Sequence, residues 1–174
     1  ISPTVTLAII NSSSGAATTT LPSAGSVTIT ATVRDVAGAA VANTVVTFTT
    51  NASLAVFNPA SGTALTNSSG VATIQMSAAG LSAAGAADVT ATATVNTAKA
   101  SGSGAYQVGA ADLTLSAFSI SATSIPAYGT STVSATVNVN GTPTSAPLTV
   151  AFSSGCALSG KATLPATVQT VNGI

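Results

Sequence analysis

Apolar and hydroxyl-bearing residues alternate along most of this chain with a period of two. Val27, Ile29, Ala31 and Val33 fall on one side of a pleated strand, and Thr28, Thr30 and Thr32 fall on the other. That is the pattern of a strand with one face buried and one face in water. The same alternation predicts strands at Val5–Ile9, Thr44–Phe48, Val71–Met76 and Val89–Val95, with shorter ones at Ala55–Phe57, Thr63–Thr66 and Ala105–Val108. It returns at Leu113–Leu115, Val133–Val139 and Leu148–Phe152. Asn67-Ser68-Ser69-Gly70 predicts a turn, and Asn11–Thr20 and Gly80–Ala87 predict loops. Short strands at intervals of about 8–12 residues, separated by turn residues and without helical periodicity, predict an antiparallel sandwich of about 100 residues. Pro22 and Pro126 are expected where the first strand bends or switches sheet, because proline cannot donate to a ladder.

The chain also repeats itself. Leu21-Pro22 recurs as Ile125-Pro126, Ala31-Thr32-Val33 as Ala135-Thr136-Val137, and Val46-x-Phe48 as Val150-x-Phe152, all at one ungapped offset of 104 positions. An offset of that size is a domain length, so the pattern predicts two tandem domains. The first covers 1–108 and is complete. The second covers 109–174 and lacks the counterpart of Ala72–Val108, including its last strands. The joint Val108-Gly109-Ala110-Ala111-Asp112 is short, which predicts restricted motion and a semi-extended rod.

Charge is nearly absent: Arg34, Lys99 and Lys161 balance Asp35, Asp88 and Asp112, and there is no Glu or His. About half of the residues are Ala, Ser or Thr, so hydroxyls carry most of the solvation. Three scattered cations cannot neutralise a run of phosphates, which excludes nucleic acid as a partner. No apolar run reaches the roughly 18 residues of a membrane helix. The near absence of aromatics, with no Trp, argues against a membrane barrel, which carries aromatic girdles. No membrane insertion is expected. A neutral surface offers little repulsion between copies and permits self-association. Ile1-Ser2-Pro3 leads straight into a strand pattern, as in a mature or excised chain.

Catalysis has little to work with. General acid/base chemistry needs a positioned His or perturbed carboxylates, and Ser or Thr nucleophiles need a base. The chain is therefore expected not to be an enzyme and to use no cofactor. Asp35 and Asp112 are the only residues that suggest calcium, but such sites gather several carboxylates, and turn or cap roles suit both better. One Cys and no His exclude zinc, and no metal site is expected. Arg34-Asp35 reads as a solvated strand end. Lys99 and Lys161 have no assignable crosslinking partner. Asn11, Asn51, Asn67 and Asn140 each open an N-x-Ser/Thr triplet, which arises by chance in so hydroxyl-rich a chain, and O-linked sugars remain open. A carbohydrate-binding role would need exposed aromatics, and only Tyr106 and Tyr128 could supply them. Cys156 reads either as a small buried thiol or as half of a disulfide whose partner lies outside the sequence.

Ala31-Thr32-Val33-Arg34-Asp35, Gly38, Val41, Val45–Thr49, Ser61-Gly62-Thr63-Ala64 and Thr66–Ile74 together resemble the bacterial Ig-like repeats of the invasin and intimin type. The resemblance covers the first domain almost throughout. The second domain matches through Ile125-Pro126, Val133–Val139, Leu148–Phe152 and Val171-Asn172-Gly173-Ile174, but departs at Asn140-Gly141-Thr142-Pro143. The expected fold is then all-β: tandem immunoglobulin-like Greek-key β-sandwiches, the second truncated. The resemblance implies a secreted or cell-surface bacterial protein whose repeats form a stalk, stacked on neighbouring repeats and holding an adhesive tip toward a host or neighbouring cell. It also implies a second cysteine downstream as the partner of Cys156. The rival expectation is a subunit of a self-assembling extracellular filament, because an unfinished sandwich leaves a sheet edge that recruits strands from other copies.

Overall fold

The computed structural model describes residues 2–174 and divides them into two units, 2–111 and 112–174. Gly109, Ala110 and Ala111 belong with the first unit, where the Ala111 amide donates to the Leu81 carbonyl at 2.6 Å.

In the first unit the chain forms β1 (Thr4–Asn11), β2 (Thr20–Leu21), β3 (Ser26–Arg34), β4 (Val45–Thr49) and β5 (Ala55–Asn58). It continues through β6 (Thr63–Leu65), β7 (Val71–Ala78), β8 (Gly85–Val95) and β9 (Ala98–Val108). These make two sheets, with strand orders β1-β3-β7-β5 and β2-β9-β8-β4-β6. The alternation read from the sequence decides which face is dry. Val27, Ile29, Ala31 and Val33 of β3 are buried, and so are Ala72, Ile74 and Met76 of β7. They share one core with Val46 and Phe48 of β4, Val89, Ala91 and Ala93 of β8, and Tyr106 and Val108 of β9. Each fully buried Val, Ile or Phe contributes about 1.5–3 kcal/mol relative to exposure, so this shared core is what holds the two sheets face to face.

Several boundaries differ from the sequence reading. β9 begins at Ala98 and pairs with β8 over its whole length, from Val95↔Ala98 to Gly85↔Val108. The segment Lys99-Ala100-Ser101-Gly102-Ser103-Gly104 lacks the β-branched residues that mark strands. Its glycines are there because β1 passes close by. A Cβ on Gly102 would run into the Val5 carbonyl oxygen, and one on Gly104 would come within 2.9 Å of Leu7 Cδ2. β8 starts at Gly85, inside the expected loop. The Asn11–Thr20 loop ends in β2, which runs parallel to β9 (Thr20↔Gln107, Leu21↔Val108). The chain therefore changes sheet between β1 and β2, ahead of Pro22.

The second unit holds β10 (Leu113–Ile120), β11 (Val133–Val139), β12 (Thr142–Pro143), β13 (Thr149–Ala151), α1 (Gly155–Leu158) and β14 (Thr167–Gln169). Its sheets are β10-β11-β12 and β13-β14. β10 is longer than the alternation predicts because it carries a bulge: its register with β11 shifts between Ser116 and Ser119, and Ala117 takes a φ of +49°. α1 has no counterpart in the sequence reading. Its single turn is capped by Ser154, whose Oγ accepts the Ala157 amide at 3.0 Å.

The described chain is thus all-β apart from one helical turn. Among the described residues no helix is long and apolar enough to cross a membrane.

Candidate functional site

The second unit exposes the kind of side chain that the first unit buries. In the first unit Val5 pairs with Val33 and Ile9 with Ile29. In the second, Leu115 pairs with Val137 and Ile120 with Val133, which lie 104 positions beyond Val33 and Ile29. Val5 and Ile9 are each 6% exposed, whereas Leu115 is 64% and Ile120 45% exposed. Leu21 is 1% exposed and Ile125, 104 positions later, is 47% exposed. Phe118, next to the bulge, is also exposed.

The cause lies in which strands are present. In the first unit β9 crosses β1 and pairs with β2, and β8 pairs with β4 over Thr90↔Thr49 to Ala93↔Val46. Among the described residues β13 pairs only with β14, and β11 only with β10 and β12. One edge of β13 is free, and so is most of one edge of β11. Between β10 and β13 lies a cavity of about 320 Å³ lined by Leu113, Leu115, Val137, Leu148 and Val150. A smaller one of about 140 Å³ lies between β11 and β14, against Ala135, Phe152 and Ile174.

What surrounds this open flank is well made. The Val137 amide donates to the Gly173 carbonyl at 2.8 Å, as the Val33 amide donates to the Gly70 carbonyl at 2.8 Å. The Phe152 amide donates to Ala166 O at 3.0 Å, and the Phe48 amide to Gly62 O at 2.7 Å. Leu148 and Thr170 exchange the same hydrogen bonds as Thr44 and Thr66. Among the described residues no buried side-chain polar atom lacks a partner.

The residues singled out from the sequence are dispersed. Asp35 caps a turn: its Oδ1 accepts the Ala37 and Ala39 amides, each at 2.8 Å. Asp112 opens the second unit, its amide donating to Asn140 Oδ1 at 2.9 Å. Among the described residues no three His, Cys, Asp or Glu gather as metal ligands would. Tyr106 does not fit the role of a sugar platform. It is buried in the first core, and its hydroxyl lies 2.8 Å from Thr50 Oγ1. Tyr128 is fully exposed in a loop, at a φ of +65°. Cys156 sits exposed in α1, which overturns its reading as a small buried thiol; the thiol is free.

Lys99 lies on the outer face of β9 opposite Thr94, beside Thr47, Thr49 and Thr92. Lys161 follows α1, its amide donating to the Cys156 carbonyl. Asn11, Asn51 and Asn67 each fold their side-chain oxygen back onto amides two to four residues ahead, and Asn140 receives the Asp112 amide. That backbone role accounts for asparagine at all four positions without glycosylation.

The alternation over Val133–Val139 and Leu148–Phe152 marks the strands of this flank. Phe118 and Ile120 carry no such signal, because the bulge breaks the alternation after Leu115. The recurrence of Leu21 as Ile125 is legible in the sequence, but the exposure of Ile125 is not. Comparison with known protein families and with curated proteins finds no match for this chain.

Proposed function

We propose that this chain is a non-enzymatic structural module: two copies of one immunoglobulin-like β-sandwich, belonging to the stalk of a bacterial cell-surface or secreted adhesin-like protein. The observation that carries the reading is the repetition of specific bonds. The pairs Val33–Gly70, Phe48–Gly62 and Thr44–Thr66 of the first unit return as Val137–Gly173, Phe152–Ala166 and Leu148–Thr170 in the second. Serial copies of a unit with hydroxyl-coated outer faces suit a spacer, whose work is to hold a terminal module at a distance. Its partners on this reading are neighbouring repeats, and the receptor belongs to that terminal module. Membership in the invasin and intimin type of repeat rests on the residues that carry the resemblance.

Surface display tests the reading. Intact cells producing the parent protein with an epitope in the Asn11–Thr20 loop should lose the epitope to external protease. An epitope that is degraded only after lysis sinks it.

The open flank favours a second reading, a filament subunit linked by strand sharing, because a free β13 edge beside exposed Leu113 and Leu115 can accept a strand from another copy. Negative-stain images separate the two: discrete particles support the stalk, regular polymers the filament.

A further inference from the structure

We propose that the outer face of β4, β8 and β9 in the first unit is a self-recognition surface. It docks face to face on the same face of a second copy, with the strands antiparallel and Asp88 of each copy against Lys99 of the other.

The face is defined by what the core leaves outside. Val89, Ala91 and Ala93 point into the sandwich, so Asp88, Thr90, Thr92 and Thr94 of β8 point out of it. Cross-strand register aligns two hydroxyl rows there, Thr47–Thr92–Ser101 and Thr49–Thr90–Ser103. Beyond the rows stand two charges at opposite ends. Lys99 is level with Thr94 and Asp88 with Ala105, which separates the charges by about 20 Å along β8. The other charged residues, Arg34, Asp35, Asp112 and Lys161, lie outside this sheet.

Two observations single out this face. Among the described residues none of the row hydroxyls, nor the Asp88 carboxylate, nor the Lys99 ammonium, has a hydrogen bond or ion pair within the chain. On the outer face of the other sheet, by contrast, hydroxyls are tied up internally. Thr28 Oγ1 accepts from Gln75 Nε2 at 3.0 Å and lies 3.2 Å from Ser12 Oγ, and Thr30 Oγ1 donates to the Ala8 carbonyl.

Charge also fixes the pairing. A two-fold axis in the plane of the face and across the strands brings Asp88 of each copy to Lys99 of the other, because an isologous contact repeats every pair in both directions. An axis along the strands would set Asp88 on Asp88 and Lys99 on Lys99. Hydroxyl rows fill the middle, and since each hydroxyl both donates and accepts, a row matches its own image. Lys99 rims an open hollow of about 650 Å³ with Thr47, Thr92 and Thr94, so the arriving carboxylate meets an ammonium and free hydroxyls together. Three strands wide and about 20 Å long, the face covers less than the ~800 Å² per partner of a stable interface, so a single contact is weak. On the stalk reading, serial copies add such contacts between molecules, but the surface itself does not depend on that reading.

Sedimentation velocity of the full chain from micromolar to millimolar concentration tests the surface. The wild-type chain should associate reversibly, and less so as salt rises. Asp88→Lys and Lys99→Asp should each weaken association by about tenfold or more, because both charge contacts turn repulsive. Combining Asp88→Lys with Lys99→Asp in one chain should restore it, and so should mixing the two single variants, which brings opposite charges together again. Circular dichroism checks the fold of each variant, and should the double variant not fold, the mixture decides. A chain that stays monomeric at millimolar concentration overturns the proposal. So does association that a single reversal leaves unchanged, which puts the contact on another surface such as the open flank, and so does failure of both rescues. None of these outcomes bears on surface display, which tests the stalk reading separately.

Discussion

Thr170 bonds as Thr66 does: its Oγ1 accepts the Leu148 amide at 2.9 Å, where Thr66 Oγ1 accepts the Thr44 amide at 2.9 Å. Both threonines also donate a backbone amide to the same partner, Thr66 to Thr44 O at 2.9 Å and Thr170 to Leu148 O at 2.8 Å. They are the buried polar residues among those described. A buried hydroxyl of this kind fixes the start of the adjoining strand, because the amide it receives would otherwise have no partner in a dry site.

Thr66→Val keeps the shape and removes the acceptor, leaving the Thr44 amide unpaired. Stability of the first unit should fall by about 1–3 kcal/mol. Thr66→Ser, which keeps the hydroxyl, should cost less. Urea denaturation followed by circular dichroism measures both, and equal losses for the two variants would show that the hydroxyl is not the operative group.

The two glycines of β9 make a sharper contrast. Gly102 faces inward against the Val5 carbonyl, while its neighbour Ser101 is exposed on the other side of the strand. Gly102→Val should destabilise by about 1–3 kcal/mol or more through overpacking, and Ser101→Val should stay within about 0.5 kcal/mol. Thermal unfolding of both variants decides it, and a neutral Gly102→Val would mean that β1 and β9 are not in close contact.

Most of the first unit was legible because its alternation is unbroken: Val27–Val33 and Val89–Val95 each declare a buried face. β9 was half hidden for the reason it exists in this form, since close packing against β1 demands glycine and glycine erases the strand signal. β10 was cut short by the bulge at Ala117. β12 and β14, at two and three residues, are too short to leave a periodicity. α1 rests on a Ser154 cap in a chain where serine is everywhere, so the cap carried no information. The open flank was readable as an absence in the repeat, but its extent needed the register of β10 against β11.

Tyr106→Phe tests the interior role assigned to that ring. The hydroxyl reaches Thr50 Oγ1, which also donates to the Asp88 carbonyl at 3.0 Å and so keeps a partner. The expected loss is about 0.5–1.5 kcal/mol. Tyr128→Ala, at a fully exposed loop position, should leave stability within about 0.5 kcal/mol. Differential scanning calorimetry distinguishes them, and a larger loss at Tyr128 would contradict the burial assigned to each ring.

Phe48 in β4 and Phe152, the residue after β13, stand 104 positions apart, yet one is in a closed core and the other beside an open flank. Phe48 is 2% exposed and packs at 6.3 Å between ring centroids against Phe57, while Phe152 is only half-buried and lines the smaller cavity. Truncation of a closed-core phenylalanine removes its transfer energy and leaves a cavity, so Phe48→Ala should cost about 3–5 kcal/mol. At Phe152 water already reaches the ring and little cavity is created, so Phe152→Ala should cost under about 1.5 kcal/mol. Hydrogen exchange across β4 and β13 reports each unit separately and avoids assuming one cooperative transition. Equal losses at the two positions would mean that the flank is covered in solution, and the difference in exposure between the units would then have to be explained by self-association.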